Sequence, residues 1–218
     1  MERKSVRNKN FVLMIIDLQD NKKISPQNFT PIRAVEDSLI EEALRLGFKE
    51  SFALSYGQIA EAMIFWIEEG AKETTTDYEG ATHILSLDGI IGKRSSSNFD
   101  PQYLDDDDAR NDFHVVDEFC NEAGVGIFSG KSATNSLYFF AIDEMPEYLG
   151  LDLSGYVEML IASRCYRYWQ KAILSIRNEK TNHETEKFKE RMPYLFPGWT
   201  WESFVSKYNE VKIEEDAF

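Results

Sequence analysis

The first apolar segment of the chain is the run FVLMII at residues 11–16, which ends at Asp17. A continuous run of six apolar residues with β-branched members is typical of a buried strand, since helices are usually longer. The polar stretch that follows, residues 19–29, contains Pro26, and proline favours irregular structure. The pattern therefore predicts a first strand at residues 11–16 and a loop after it.

Two helices are predicted next. Thr30 and Pro31 supply a hydroxyl N-cap and a proline at the first helical position, and apolar residues then recur at spacings of three and four. Gly47 can end this helix in a left-handed conformation. A second helix is predicted from about Ser55 to Gly70. Its apolar side comprises Ile59, Ala60, Met63, Ile64 and Ile67.

The pattern changes to strands in the middle of the chain. The segment ATHILSL at residues 81–87 predicts a strand, and Asp88-Gly89 is a typical two-residue hairpin turn. Ile90 and Ile91 would then begin the return strand. Residues 93–110 are polar, with SSSN followed by four aspartates, and predict a long loop. Loops of this length in a compact domain are often functional.

The clearest strand pair follows this loop. Residues 124–129 (GVGIFS) and 136–142 (SLYFFAI) are short apolar segments, and GKSATN between them has the composition of a connecting turn. Residues 113–122 fit a strand or a short helix equally well. The sequence therefore predicts at least one antiparallel pair here.

The longest helical pattern begins at Asp152 or Ser154, either of which can act as an N-cap, and ends near Asn178. Its broad apolar stripe comprises Tyr156, Leu160, Ile161, Cys165, Tyr168, Trp169, Ala172 and Ile176. A short helix is predicted at residues 184–192. Thr200 caps a last helix, whose apolar face comprises Trp201, Phe204, Val205 and Tyr208.

The order of predicted elements indicates the fold class. Strands and helices do not alternate regularly, which favours an α+β fold with a mostly antiparallel sheet packed against several helices. The chain has 218 residues and no linker long enough to separate two domains. We therefore expect a single α+β domain over residues 1–218.

The charge of the chain narrows the choice of partners. The net charge is −14, from 38 acidic and 24 basic residues. Such a surface repels the phosphates of nucleic acid and anionic membrane surfaces, and it attracts basic proteins. Acidic composition also promotes solubility, which is its commonest explanation. We expect no nucleic-acid and no membrane partner.

The two cysteines, Cys120 and Cys165, form no CxxC pair, and Cys165 falls within the long helical pattern, where a buried free thiol is expected. This usage fits a reducing compartment. The basic N-terminus precedes an apolar run, but residues 11–16 are too short for a signal peptide or a membrane span. The sequence thus favours a soluble cytoplasmic protein.

No complete catalytic or metal-binding motif is present. His83, His114 and His183 are far apart and lack metal-ligand spacing, so neither a metal nor another cofactor is expected. Residues 129–136 contain GKS without the upstream glycine of a phosphate-binding loop. Residues 13–20 resemble the first strand of isochorismatase-like hydrolases, but neither cysteine has the setting of that family's nucleophile. An enzyme would need a site of scattered carboxylates, and we keep this as the alternative.

The best candidate for a binding site is the run of four consecutive carboxylates Asp105, Asp106, Asp107 and Asp108. An EF-hand spaces its acids differently and includes a glycine, so a calcium loop is not indicated. Runs of this kind are usually solvated loops. The functional hypothesis is that these four aspartates form part of a docking face for a basic protein.

Residues 136–170 resemble the C-terminal part of the SUKH superfamily, which includes the yeast regulator of cell-wall glucan synthesis and many bacterial immunity proteins. Members combine an aromatic strand, an acidic turn and a helix of the form L-x-x-Y-x-x-x-L. The corresponding residues here are Tyr138–Phe140, Asp143–Glu144, and Leu153, Tyr156 and Leu160. The early Leu-Pro signature of the family is absent, since residues 44–52 lack proline.

The resemblance implies an α+β fold, no enzymatic activity and a binding role. Many bacterial members neutralise toxins that are basic because they grip phosphate. An acidic neutraliser suits such a partner. The leading expectation is a non-enzymatic cytoplasmic protein-binding domain, and immunity to a basic toxin is its most specific form. A structural role is the third possibility, with the C-terminal segment WTWESFVSKY packed against a second copy.

Overall fold

The computed structural model describes residues 2–29, 37–56, 61–71, 79–92, 108–142 and 144–214. The α-helices are α1 (Glu2–Asp20), α2 (Asp37–Arg45), α3 (Glu50–Tyr56), α4 (Leu87–Gly92), α5 (Leu153–Ala162), α6 (Trp169–Asn178), α7 (His183–Leu195) and α8 (Trp201–Val211). The strands are β1 (Ile24–Phe29), β2 (Ala62–Glu68), β3 (Gly80–Ile84), β4 (Phe113–Asp117), β5 (Ala123–Phe128), β6 (Tyr138–Ala141) and β7 (Glu147–Tyr148). Short 3₁₀ turns cover Ala109–Asp112 and Gly130–Ser132.

The seven strands follow one another in the sheet in chain order, from β1 to β7, and neighbouring strands run antiparallel. Helices and strands are not interleaved in a regular βα pattern, so the fold is α+β, as predicted. Among the residues described, no helix combines the length and the apolar composition that a bilayer crossing needs.

The chain divides into two compact units. The first comprises Met1–Thr30, Met63–Thr82 and Gly155–Lys212, and the second comprises Pro31–Ala62, His83–Ser154 and Ile213–Phe218. Each unit is discontinuous in sequence and draws on early and late parts of the chain.

The first unit begins with a helix where the sequence predicted a strand. Residues 11–16 lie inside α1, which buries Phe11, Met14 and Leu18 at helical spacing and packs against β1. The run resembles a buried strand because α1 is also apolar on its outer face. The prediction of a strand here was wrong, since a helix with two apolar faces gives the same continuous pattern.

The predicted loop at residues 19–29 was also wrong in part, because residues 24–29 form β1. Pro26 is tolerated because β1 is the edge strand and pairs only with β2. The register between β1 and β2 shifts between Pro26 and Asn28. A proline has no N–H to donate, so it is confined to edges and bulges of this kind.

The helix predicted from about Ser55 to Gly70 is replaced by strand β2, although residues 57–60 lie outside the described part. Ala62, Ile64 and Trp66 are fully buried, and the residues between them are half-buried. This alternation has the period of a strand. Nearly every position in the segment is apolar, so the helical spacing was satisfied as well.

The long helix predicted over residues 152–178 is broken in the structure into α5 and α6. Arg164, Cys165 and Tyr168 have φ angles of 54°, 59° and 65°, which is left-handed backbone that residues other than glycine rarely adopt. Cys165 is fully buried, as predicted. The break is therefore a fixed and strained connection and not a fraying helix end.

Trp66 holds this break in place. Its indole Nε1–H donates to the carbonyl of Arg164 at 2.8 Å, and the backbone N–H of Ala81 donates to the carbonyl of Cys165 at 2.8 Å. Gly80 lies against the Trp66 ring so closely that a Cβ atom would come within 1.9 Å of it. Residues of the strands thus bind the backbone carbonyls of Arg164 and Cys165.

The C-terminal helices of the first unit agree with prediction. Helix α7 covers the predicted residues 184–192 and ends three residues later. Thr200 is the N-cap of α8, where its hydroxyl accepts from the N–H of Ser203 at 3.1 Å. Phe204 and Tyr208 are buried on one face of α8. Arg191 of α7 pairs with Glu68 at 2.6 Å and Glu79 at 3.0 Å.

In the second unit, two predictions fail near the end of β3. The strand itself is present, but Asp88-Gly89 is not a hairpin turn, because Leu87–Gly92 form helix α4 with Leu87 and Ile90 buried. Residues 90–91 therefore form no return strand. For the predicted helix at residues 30–47, residues 30–36 lie outside the described part, whereas α2 and the left-handed Gly47 (φ 86°) agree with the prediction.

The core of the second unit is the antiparallel set β4, β5 and β6. The predicted pair is confirmed, with Val125 opposite Phe139 and Gly124 opposite Phe140. The undecided residues 113–117 form β4. Gly126 lies under the ring of Phe113, where a Cβ atom would be 2.4 Å from Cζ of that ring and 2.5 Å from a backbone oxygen.

Replacing Glu179 with glycine should stabilise the protein. Glu179 is the exposed C-cap of α6 with φ 51°, and glycine removes the steric cost of that conformation. We expect Glu179→Gly to raise the free energy of unfolding by about 1 kcal/mol in urea titrations. Glu179→Ala retains a Cβ atom and is the control. Equal stability of the two variants would contradict the assignment of strain.

Adding a methyl group at Gly126 should destabilise the protein. The Cβ atom would clash with the Phe113 ring and with the backbone oxygen of His114, and the backbone oxygen cannot move cheaply. We expect Gly126→Ala to lower the free energy of unfolding by about 2 kcal/mol. Gly92→Ala is the control, since nothing lies within 4 Å of its added Cβ atom. A loss of the same size in both variants would disprove the packing argument.

Candidate protein-binding surface

The four aspartates predicted to bind a partner are only partly described. Asp105, Asp106 and Asp107 lie outside the described residues, so the predicted docking role of the four stays a prediction. Asp108 is the N-cap of a 3₁₀ turn and accepts from the backbone N–H of Arg110 at 2.8 Å. The Arg110 guanidinium also contacts the Asp108 carboxylate at 2.6 Å. The charge of Asp108 is therefore compensated locally.

The described residues contain no group of three or more histidine, cysteine, aspartate or glutamate side chains that could hold a metal ion. His83 and His183 belong to different units, and His114 is buried in β4. The thiol of Cys165 is buried, and that of Cys120 is half-buried with its Sγ 3.4 Å from the carbonyl of Ala123. No cluster of these groups supports metal chemistry in the described part.

The arrangement closest to a catalytic pair is the contact between Ser129 and His114. Nδ1 of His114 lies 3.0 Å from the carbonyl of Ile90, and a carbonyl only accepts, so Nδ1 carries a proton. Nε2 lies 2.9 Å from Oγ of Ser129 and accepts from this hydroxyl in the neutral ring. Both residues are buried, and Phe48 packs on the imidazole at 4.7 Å. The pair is better explained as internal hydrogen bonding than as an open nucleophile.

An exposed acidic surface forms at one end of the β5–β6–β7 sheet. We call it the acidic tip and define it as Glu122, Ile142, Glu144, Met145 and Glu147. Ile142 directly follows β6, and its N–H donates to the carbonyl of Glu122 at 2.9 Å. The N–H of Glu144 donates to the carbonyl of Ala141 at 3.1 Å and closes the turn. These bonds bring the end of β6 beside the residue that precedes β5.

The acidic tip stands on a rigid aromatic base. Glu147 pairs with Phe139, and Tyr148 pairs with Tyr138, so β7 folds back on β6. Phe139 and Phe140 are almost fully buried, and the Tyr148 hydroxyl donates to the carbonyl of Ile213 at 3.0 Å. The backbone of the tip is thus anchored at both of its ends by buried aromatic residues.

The exposed side chains of the acidic tip combine apolar area with negative charge. Ile142 is 46% exposed and Met145 is 66% exposed, and the tip also carries three exposed carboxylates, those of Glu122, Glu144 and Glu147. None of these three carboxylates forms an ion pair with a lysine or arginine of the described ranges. Uncompensated charge around exposed apolar side chains is typical of the rim and centre of a protein interface.

Half of this surface is predictable from the sequence, namely the acidic turn Asp143–Glu144, of which Asp143 lies outside the described residues. The sequence alone does not reveal the exposure of Ile142 and Met145, because the segment IDEMPE has the composition of a turn after a strand. The signal that could have revealed it is the alternation of apolar residues with acids beside a proline. Apolar residues in such a turn have no core to enter.

Comparison of the chain with protein-family models, with curated proteins and with solved structures gave no significant match.

The ion pair between Asp108 and Arg110 should affect the titration of the Asp108 carboxyl. The side-chain hydrogen bonds from Arg110 hold the pKa of the Asp108 carboxyl below its ordinary value. The pairing therefore stabilises the folded state above the unfolded-state pKa of about 4, and this contribution is lost as pH falls through the lower folded-state value. We expect Arg110→Ala to return the pKa of Asp108 toward its ordinary value in a carbon-detected NMR titration. Arg45→Ala, which removes a different exposed pair, should leave it unchanged.

Proposed function

We propose that this protein is a non-enzymatic binding protein that captures a basic partner protein through the acidic tip. The observation that carries the proposal is that the tip combines the exposed Ile142 and Met145 with three exposed carboxylates, and no lysine or arginine in the described part of the chain forms an ion pair with them. Opposite charge on the partner would give orientation and a fast association rate. Burial of the two apolar side chains would supply the slower dissociation.

The geometry of the acidic tip supports this proposal over a small-ligand site. The side chains of the tip are exposed, with Ile142 at 46% and Met145 at 66%, whereas small-molecule sites are concave and enclose their ligand. Its anchored backbone limits the conformational entropy that binding would cost. A partner surface with a shallow apolar depression ringed by lysine or arginine would complement it.

Immunity to a basic toxin is the most specific form of the proposal. The acidic tip includes Glu144, which belongs to the acidic turn Asp143–Glu144, one of the three features in which the chain resembles the SUKH superfamily. Enzymes that act on nucleic acid are basic because they bind phosphate, and an acidic protein that covers such a surface would inhibit them. The net charge of −14 suits this role.

Reversal of charge at the acidic tip should weaken partner binding. The partner is first captured with the wild-type chain and purified, and it should have an isoelectric point above about 9. We expect Glu144→Lys/Glu147→Lys to weaken binding at least about tenfold, mainly through the association rate and most strongly at low salt. The control is Glu41→Lys/Glu50→Lys, which changes the net charge equally at exposed positions of the same unit. An equal loss of affinity in the tip variant and the control variant would mean that the partner is held only by non-specific attraction to the net charge, which would contradict the proposal.

Removal of the apolar side chains tests the other half of the interface without a change of charge. We expect Ile142→Ser/Met145→Ser to weaken binding about tenfold by surface plasmon resonance, chiefly through faster dissociation. The control Leu44→Ser/Leu54→Ser removes two similarly exposed leucines of the second unit and should have little effect. A partner that binds both variants like the wild type would contradict the proposed role of the tip.

A further inference from the structure

The first unit contains an open groove of about 660 Å³ that the acidic tip does not share. Its lining includes Asp17, Asp20, Arg164, Trp199, Phe204 and Lys207. Four chain segments meet here: the end of α1, the strained break after α5, the turn between α7 and α8, and the first half of α8. The groove is therefore assembled by tertiary packing and not by one loop.

The aromatic floor of the groove is fixed. The indole Nε1–H of Trp199 donates to the carbonyl of Ala162 at 3.0 Å, so the ring is held to the end of α5. Phe188 packs edge-on against Trp199 with ring centroids 5.1 Å apart, and Phe204 lies 6.0 Å from it. Trp199 remains half-exposed, whereas Phe204 is buried. A partly exposed and immobile indole is a suitable surface for a cation or an apolar chain.

The two cations of the groove are already compensated. Arg164 donates to the carbonyl of Ile161 at 2.7 Å and lies 3.4 Å from the Asp17 carboxylate. Lys207 lies 3.0 Å from Glu210 and 3.9 Å from Glu158. The strained left-handed backbone at Arg164 fixes its side chain in this position. Neither cation is therefore well placed to attract an anion.

Asp20 supplies the uncompensated charge of the groove. It is exposed, and within the described part of the chain no lysine or arginine pairs with it. Asp17 is also exposed, and its one ion pair with a described residue is the contact with Arg164 at 3.4 Å. The free charge at the α1 wall is therefore negative, which favours a cationic ligand.

The groove continues into an exposed apolar face on α1. Val12, Leu13 and Ile16 are 48%, 46% and 44% exposed. Leu13 lies one helical turn before Asp17, and Ile16 lies one turn before Asp20. Each groove carboxylate thus has an exposed aliphatic side chain beside it on the same face of the helix. Three large exposed aliphatic residues on one helix face are typical of a surface that another element covers.

We propose that the α1 face and the groove form a docking surface for a basic amphipathic segment of another protein. The aliphatic side of the segment would cover Val12, Leu13 and Ile16. One of its lysine or arginine side chains would enter the groove, lie against the Trp199 indole and pair with Asp20. This combination of apolar contact and charge complementarity corresponds to the recognition of amphipathic helices in grooves.

The surface is separate from the acidic tip in residues and in unit, so this inference stands without the proposed function. The tip offers a small exposed contact to a folded basic surface. The α1 face offers a longer apolar strip that ends in a concave site. The strip and the groove together suit a segment of several turns, since Leu13, Ile16 and Asp20 already span about two turns of α1.

The test uses the full chain and a defined probe. The probe is a fluorescein-labelled peptide of about 18 residues, built from leucine and lysine at helical spacing, which gives five helical turns. A peptide with glutamate in place of lysine and a scrambled leucine–lysine peptide are the reference probes. We expect anisotropy titrations to show binding of the amphipathic basic peptide at least about tenfold tighter than of either reference peptide.

Targeted substitutions then show which residues bind the peptide. Asp20→Lys should weaken it about tenfold, and Leu13→Ser/Ile16→Ser should weaken it by a similar factor. Glu69→Lys is the matched charge control, since it changes the net charge equally at an exposed position of the same unit outside the groove. Leu44→Ser/Leu54→Ser is the matched apolar control. Both controls, and the charge reversal at Glu144 and Glu147, should change the affinity less than twofold.

Hydrogen–deuterium exchange then maps the site. The bound peptide should slow exchange in α1 and in residues 196–207. Three outcomes would overturn the proposal: no preference for the amphipathic basic peptide, an equal loss of affinity in Asp20→Lys and Glu69→Lys, or protection confined to other segments. Light scattering provides a fourth, since a dimer that dissociates in Leu13→Ser/Ile16→Ser would assign the face to a second copy of the chain.

Discussion

The hydrogen bond from the Trp66 indole to the carbonyl of Arg164 is the contact on which the architecture of the first unit depends. The Trp66 indole that donates this bond is closely enclosed, because its ring lies directly on Gly80 and is packed by Tyr166 and Phe196. The bond satisfies a carbonyl that a continuous helix would have used internally. Two separate helices result, and the side chain of Arg164 faces the groove instead of following a helical face.

The two proposed surfaces share one physical logic although they belong to different units. In both, exposed aliphatic or thioether side chains accompany carboxylates that no lysine or arginine among the described residues fully neutralises, and the backbone beneath is fixed by buried aromatic residues. The rigid base reduces the entropic cost of ordering a contact, and the charge selects partners by sign. The difference lies in shape, since the α1 face leads into a groove of about 660 Å³, whereas the tip consists of exposed side chains at the end of a sheet. Shape therefore decides which class of basic partner each surface suits.

The sequence predicted the fold class and the aromatic strand pair because those signals are local. The apolar segments 124–129 and 136–142 are separated by turn residues, and Thr200 is the predicted N-cap of the last helix. The predictions from sequence fail where tertiary packing determines the secondary structure. The segment at residues 11–16 satisfied a strand template because α1 is apolar on two faces, and residues 62–68 satisfied both periods because almost every position is apolar. The left-handed residues Arg164 and Cys165 carry no glycine signal at all. For the candidate site, acidity was predictable from sequence, whereas the exposure of Ile142, Met145 and Leu13 required three-dimensional structure.

Pro26 has a consequence for how the sheet meets other molecules. Strand β1 is the first edge of the sheet, and an unprotected edge invites pairing with strands of other chains and hence aggregation. The missing N–H of Pro26 and the register shift beside it interrupt the row of donors that an incoming strand would need. Main-chain strand addition is therefore disfavoured along this edge, and recognition by this part of the protein must come from side chains.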